Sequence, residues 1–269
     1  MSNQLKLMGI LAHPDDETLG FGGTFAKYSR EGIDTYLLTA TRGERGRFGN
    51  EKTSPGLEKV GKVRENELIE AAKILGIGKV HFLDYIDGEV DQATPLEIIR
   101  KIAGHIRKIK PQVIFTFDPA GAYGHPDHMA ISQFTAAGIV TAADPGLDKK
   151  VNEPSHAVSK FYYGAWSEEK WKIYQASFKE LASHVDGVKR VAKPWPAWNI
   201  TTRIDASPYW KTVWKAVMCH QTQMAIYNQL ATLSDSDHQV LWGSQEFYRV
   251  FSTVNGGRKV ETDLFEGLK

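Results

Sequence analysis

The chain has 269 residues, with 33 Lys and Arg against 32 Asp and Glu and a formal net charge of +1. That balance excludes nucleic acid and membrane surfaces as partners held by bulk charge. The single cysteine, Cys219, excludes an internal disulfide and a cysteine-based zinc cluster. No apolar run approaches the roughly 18 residues of a membrane span, and the N-terminus passes into a strand-like run without a signal-type segment. The sequence therefore predicts a soluble, cytoplasmic protein, with its oligomeric state, homo-oligomer included, left open.

Apolar strand-like runs alternate with helical patterns up to about residue 145. The expected order is strand Leu7–Ala12, a helix from Asp15 to Arg30, strand Thr35–Ala40, and a helix from Lys62 to Leu75 ended by Gly76. Strand Val80–Leu83, helix Leu96–Ile109, strand Val113–Phe117 and helix Pro126–Ala142 follow. This rhythm predicts one α/β domain over 1–269. Its core, 1–145, is a Rossmann-like, mostly parallel sheet with helices on both faces. Residues 146–269 read as a Trp-rich C-terminal extension walling the cleft, since all seven tryptophans fall between Trp166 and Trp242. Within it, Lys160–Ala165 is expected as a strand, Tyr209–Met224 as a helix, and Gln245–Phe251 as an element of undetermined type. The Trp and Tyr residues read mainly as core. Trp195 and Trp198, set among Pro194 and Pro196, are the candidates for stacking on a ligand.

Two motifs stand at strand ends, where ligands bind in such folds. His13-Pro14-Asp15-Asp16 follows the first strand and His125-Pro126-Asp127-His128 follows the fourth. Proline holds the preceding histidine extended and can itself open a helix. Capping alone would account for acidic residues in a first helical turn, but it does not call for histidine at both sites. Two imidazoles and a carboxylate could close on one metal, leaving a spare carboxylate and a spare imidazole for acid–base work. The spacing does not decide which histidine of the second motif is the ligand. A dinucleotide site is disfavoured, because Asp15, Asp16 and Glu17 occupy the turn that would approach a pyrophosphate. Gly20, Gly22 and Gly23 read instead as close helix packing.

These segments resemble the PIG-L/LmbE-like family of zinc-dependent N-deacetylases. The likeness rests on Ala12-His13-Pro14-Asp15-Asp16-Glu17-Thr18-Leu19-Gly20, Thr41-Arg42-Gly43-Glu44, Arg64 with Glu67 and Leu75-Gly76, and Gly121-Ala122-Tyr123-Gly124-His125-Pro126-Asp127-His128. Ala216 with His220-Gln221-Thr222-Gln223 is similar to a further family helix, and His220 is left without a role. The resemblance implies one zinc ion held by His13, Asp16 and His128, with Asp15 as general base. It also implies His125 as a protonated electrophile and proton donor oriented by Asp127, with Tyr123 near the oxyanion. Arg64 and Asp87 match substrate-contacting positions.

The loop bearing Arg42 and Glu44 should rim the cleft, the guanidinium suiting a carboxylate or phosphate and the carboxylate a sugar hydroxyl. The expected reaction is removal of acetyl from a small-molecule N-acetylglucosaminyl conjugate. The alternatives are an amidase of the same family acting on a thiol conjugate or other amide, and a non-catalytic zinc-binding protein. The native metal stays open between zinc and ferrous iron.

Overall fold

The apolar runs become strands, as a sheet covered on both faces requires. The computed structural model describes residues 4–146, 153–178, 182–257 and 259–269. The first half runs β1 (Lys6–Leu11), α1 (Asp16–Leu19), α2 (Gly22–Arg30), β2 (Asp34–Thr39), α3 (Leu57–Leu75), β3 (Lys79–Phe82), α4 (Pro95–Ile109), β4 (Val113–Thr116), a distorted turn α5 (Gly121–Gly124), and α6 (Pro126–Ala143). The second half continues with β5 (Lys160–Ala165), α7 (Glu168–Phe178), β6 (Ala182–Val185), β7 (Val188–Val191), β8 (Thr202–Asp205), α8 (Trp210–Val217), α9 (Met224–Tyr227), α10 (Asp235–Gly243) and β9 (Ser244–Ser252).

Seven strands form one sheet in the order β3-β2-β1-β4-β5-β9-β8. The first five are parallel, while β9 runs antiparallel to β5 and β8 antiparallel to β9. Helices surround the sheet, and β6 and β7 form a separate hairpin. The sheet core includes Leu7, Met8, Ile10 and Leu11 of β1 with Ile114 and Phe115 of β4, all fully buried. The chain reverses its direction of growth between β1 and β4, so the crevice beyond their C-terminal ends is the site such topology opens. Both histidine motifs emerge there.

Three departures from the expected elements have local causes. The first helix is broken at Gly20–Phe21 into α1 and α2. The glycines beyond the break let α2 seat closely on its neighbours. A Cβ on Gly22 would lie 2.7 Å from Val213 Cγ1, and one on Gly23 would lie 2.6 Å from the Trp242 carbonyl oxygen. The helix expected to reach Met224 stops at Val217, because the chain turns to bury His220 completely. The segment of undetermined type is a strand, β9, pairing on both edges.

Candidate active site

Beyond β1 the chain turns sharply. Asp15 takes φ 97°, ψ −25°, in the left-handed region that costs a non-glycine residue energy unless its surroundings hold it. Its amide donates to Glu17 Oε2 at 2.9 Å, and its carbonyl accepts from Thr18 Oγ1 at 2.8 Å. Asp16 then opens α1, and its carboxylate accepts from the His13 amide at 2.7 Å.

Beyond β4 the backbone of Gly121, Ala122 and Gly124 also has positive φ. A Cβ on Gly121 would come within 2.9 Å of His128 Cβ, so the turn needs glycine for space as well. His125 caps α6, its Nδ1 accepting from the Asp127 amide at 3.2 Å. An amide only donates, so the proton of the neutral ring sits on Nε2. His128, one turn along α6, stacks on Phe117 with ring centroids 4.0 Å apart and planes at 7°.

The two turns meet. His13 Nδ1 lies 3.2 Å from His128 Nε2, while Asp16 places Oδ2 3.8 Å from the first nitrogen and Oδ1 3.4 Å from the second. Donors about 2.0–2.1 Å from a tetrahedral zinc stand roughly 3.3 Å apart, so these three residues fit one ion in spacing and in donor type. His13 Nε2 faces Asp127 Oδ2 at 2.9 Å and Asp87 Oδ1 at 3.1 Å. Among the described residues, His13, His125 and His128 also bring one donor atom each within 4.8 Å of one another, as do His13, Asp87 and Asp127.

Charge in this buried cluster is unbalanced. Burial opposes a charged His13, but hydrogen bonds to Asp127 and Asp87 outweigh it and hold its pKa well above the usual range. Burial, against the attraction of His13 and with the repulsion of Asp15, pushes Asp16 up to about 7. Burial and the nearby His13 and His125 rings take His128 well below its ordinary value. Burial and His13 likewise bring His125 down to about 4.

Several expected roles change with the geometry. Asp127 does not turn its carboxylate to His125. It accepts from His13, Gly88 N at 2.7 Å and Val90 N at 3.1 Å. Arg64, buried at 3% exposure, is committed to Asp15 Oδ2 at 3.0 Å, the Pro14 carbonyl at 2.6 Å and the Gly43 carbonyl at 2.8 Å. Arg42 pairs with Glu65 and Asp84 over the Phe82 ring. The Glu44 carboxylate accepts from the amides of Arg42 and Asp87, at 3.4 and 3.1 Å. Internal partners therefore occupy all four residues assigned to substrate. None of the four lines the cavity that adjoins the cluster.

That cavity, of about 320 Å³, reaches Asp15, Asp16, Tyr123 and His128 at one end. Leu19, Phe21, Trp166, Tyr174 and Leu241 are among its apolar walls. Tyr123 is kept un-ionised by burial beside Asp16 and Asp15. Trp195 also lines the cavity and donates from Nε1 to Asp118 at 2.9 Å, whereas Trp198 is 84% exposed and stands apart.

Tyr227 escaped the sequence reading. Its hydroxyl donates to Asp15 Oδ2 at 2.8 Å. It sits past a turn that no periodicity announces. The only local signal was the neighbouring His220 motif, whose histidine pairs with Glu17 Oε1 at 2.8 Å.

Comparison with known proteins agrees with this picture. Residues 8–139 match the family described as PIG-L: GlcNAc-PI de-N-acetylase. A relative from Streptomyces avermitilis, 1D-myo-inositol 2-acetamido-2-deoxy-alpha-D-glucopyranoside deacetylase, is 31% identical, covering 98% of this chain and 97% of its own. The mycothiol S-conjugate amidase of Streptomyces coelicolor is 29% identical, covering 100% and 99%. The chain belongs to the PIG-L family of LmbE-like N-deacetylases. Among solved structures, GalB, the 4-carboxy-2-hydroxymuconate hydratase from Pseudomonas putida, superposes with TM-score 0.69 at 18% identity, covering 94% of this chain and 99% of its own. That likeness shows the fold alone, and a hydratase on it means the reaction must be argued from the site.

Proposed function

We propose that this chain is a zinc-dependent hydrolase that removes the acetyl group from an N-acetylglucosaminyl conjugate. The observation that carries the reading is the approach of His13 Nδ1, His128 Nε2 and the Asp16 carboxylate to within 3.2–3.8 Å of one another, at the end of a cavity that Asp15 also lines. His13, Asp16 and His128 would hold the ion. Zinc bound there supplies a water acidified to a pKa of about 7 and a Lewis acid for the acyl oxygen.

The remaining work falls to side chains. Asp15, steadied by Arg64 and Tyr227, takes the proton of the attacking water. His125, with Nδ1 fixed by the Asp127 amide, donates a hydrogen bond from Nε2–H to the developing oxyanion, and the proton taken up by Asp15 passes to the departing amine. Tyr123, un-ionised, adds a hydroxyl beside His128. Asp127 and Asp87 orient His13. The relatives named deacetylase and amidase support amide hydrolysis, and no helix of the described residues is long and apolar enough to cross a membrane.

A second reading, an amidase with a larger acyl group such as that of a thiol conjugate, is favoured by the cavity. An acetyl group fills only a small part of a cavity of about 320 Å³ beside the cluster. Product release from N-acetylglucosaminides and thiol-conjugate amides, with and without chelator, separates the two. In the same assay Asp15→Ala should keep zinc and lose about 10²–10⁴-fold in turnover. Turnover equal to the unaltered enzyme would end this mechanism, and a non-catalytic protein would cleave nothing.

A further inference from the structure

Glu17 and His220 are ionisable, completely buried, and unused by the reaction above. Burying such a pair costs desolvation that its mutual attraction repays only with good geometry, so its presence is poorly explained by stability alone. The geometry ties it to Asp15. Glu17 Oε1 meets His220 Nε2 at 2.8 Å, and Glu17 Oε2 accepts the Asp15 amide at 2.9 Å. That amide belongs to the residue held at φ 97°.

We propose that Glu17 and His220 form a positioning dyad that locks the Asp15 peptide in its left-handed conformation and so aims the Asp15 carboxylate. It rests on the reading of Asp15 as the general base. Arg64 and Tyr227 grip the carboxylate, and the dyad grips the backbone, so both ends of the residue are fixed.

Two further observations separate the dyad from a simple helix cap. A glutamate reaching back to the residue before a helix is ordinary capping chemistry, but α1 is only four residues long and has little helix to stabilise. His220 is also held for one contact, since its Nδ1 is buried with no hydrogen-bond partner among the described residues. The turn that follows His220 is anchored by two residues. Thr222 donates from N and Oγ1 to Glu67 at 2.8 and 2.7 Å, and Gln223 Nε2 donates to the Arg47 carbonyl at 2.7 Å.

The test uses the zinc-loaded full chain with His220→Leu, His220→Gln and Glu17→Gln, reading kcat and KM, zinc content, melting temperature and amide hydrogen exchange at residue 15. His220→Leu should lose about 10²-fold in kcat, as a misplaced catalytic group does. Its KM and zinc content should hold while exchange at the Asp15 amide quickens. His220→Gln, whose Nε2 can reach the same glutamate oxygen, should restore most of both. If the leucine variant does not fold, Glu17→Gln decides. It keeps an acceptor for the Asp15 amide but no charge, and should fall between the other two in kcat and in exchange. Lower melting temperature with unaltered kcat and unaltered exchange at residue 15 would overturn the dyad. Asp15→Asn at full turnover would instead remove the general-base reading, and exchange at residue 15 in the Glu17 and His220 variants would still decide the dyad.

Discussion

Asp127 Oδ2 lies 2.9 Å from His13 Nε2, so a residue in the first turn of α6 orients the imidazole that follows β1. A histidine that offers one ring nitrogen to a metal commonly gives the other to a carboxylate, which fixes its tautomer and raises its basicity. Asp127→Asn keeps the size and hydrogen-bonding reach of the side chain but removes the charge. Zinc affinity should fall about 10–100-fold, measured by competition with a chromophoric chelator, with the fold intact by circular dichroism. Unchanged affinity would show that Asp127 serves only its amide partners, Gly88 and Val90.

Zinc uptake should release a proton near neutrality. With its pKa raised to about 7, Asp16 binds a proton in the folded, metal-free protein at pH values where the unfolded chain has already lost it. The stability this contributes is present below the unfolded value and is lost as pH rises from about 4 through about 7. Zinc competes with that proton and with the one His13 holds well above its ordinary range, so its affinity should keep rising with pH through about 7. Calorimetric titration at pH 6 in buffers of different ionisation enthalpy should report net proton release. Proton-neutral binding would contradict the assignment of His13 and Asp16 as ligands.

Tyr227→Phe removes one hydrogen bond to the Asp15 carboxylate and leaves the ring that lines the cavity. A hydrogen bond to a charged group contributes about 1.5–3 kcal/mol. A drop in kcat of roughly tenfold is expected if half of that acts on the transition state. KM and zinc content should be preserved. A change confined to KM would assign the hydroxyl to substrate binding.

The strand-end motifs were legible because their chemistry is local. Proline after histidine, and acidic residues opening a helix, fix geometry within four residues. The sheet was legible for a similar reason, since residues 7–11 and 113–115 are runs without a polar side chain. Partner choice was not legible. Arg64 sits in α3, 49 residues from the Asp15 it holds, and Tyr227 lies 212 residues away. Nothing in either neighbourhood marks the side chain as bound for a carboxylate rather than for solvent. Arg42 and Glu44 were assigned to substrate because a charged loop after a strand should face the cleft. Their partners Glu65, Asp84 and the Asp87 amide come from segments whose approach only the folded chain reveals. The setting of His125 was hidden for a subtler reason. The Asp127 amide that occupies its Nδ1 is a consequence of helix capping, and burial beside His13 does the rest.

Metal content tests the central claim most directly. The unaltered chain, His13→Ala and His128→Ala are each purified with zinc present, desalted, and measured for bound zinc per chain and for acetate release. Shared ligation across the two turns predicts one zinc in the unaltered chain and chelator-sensitive release, with both lost in either variant. Full zinc occupancy and full turnover in His13→Ala or His128→Ala would contradict it.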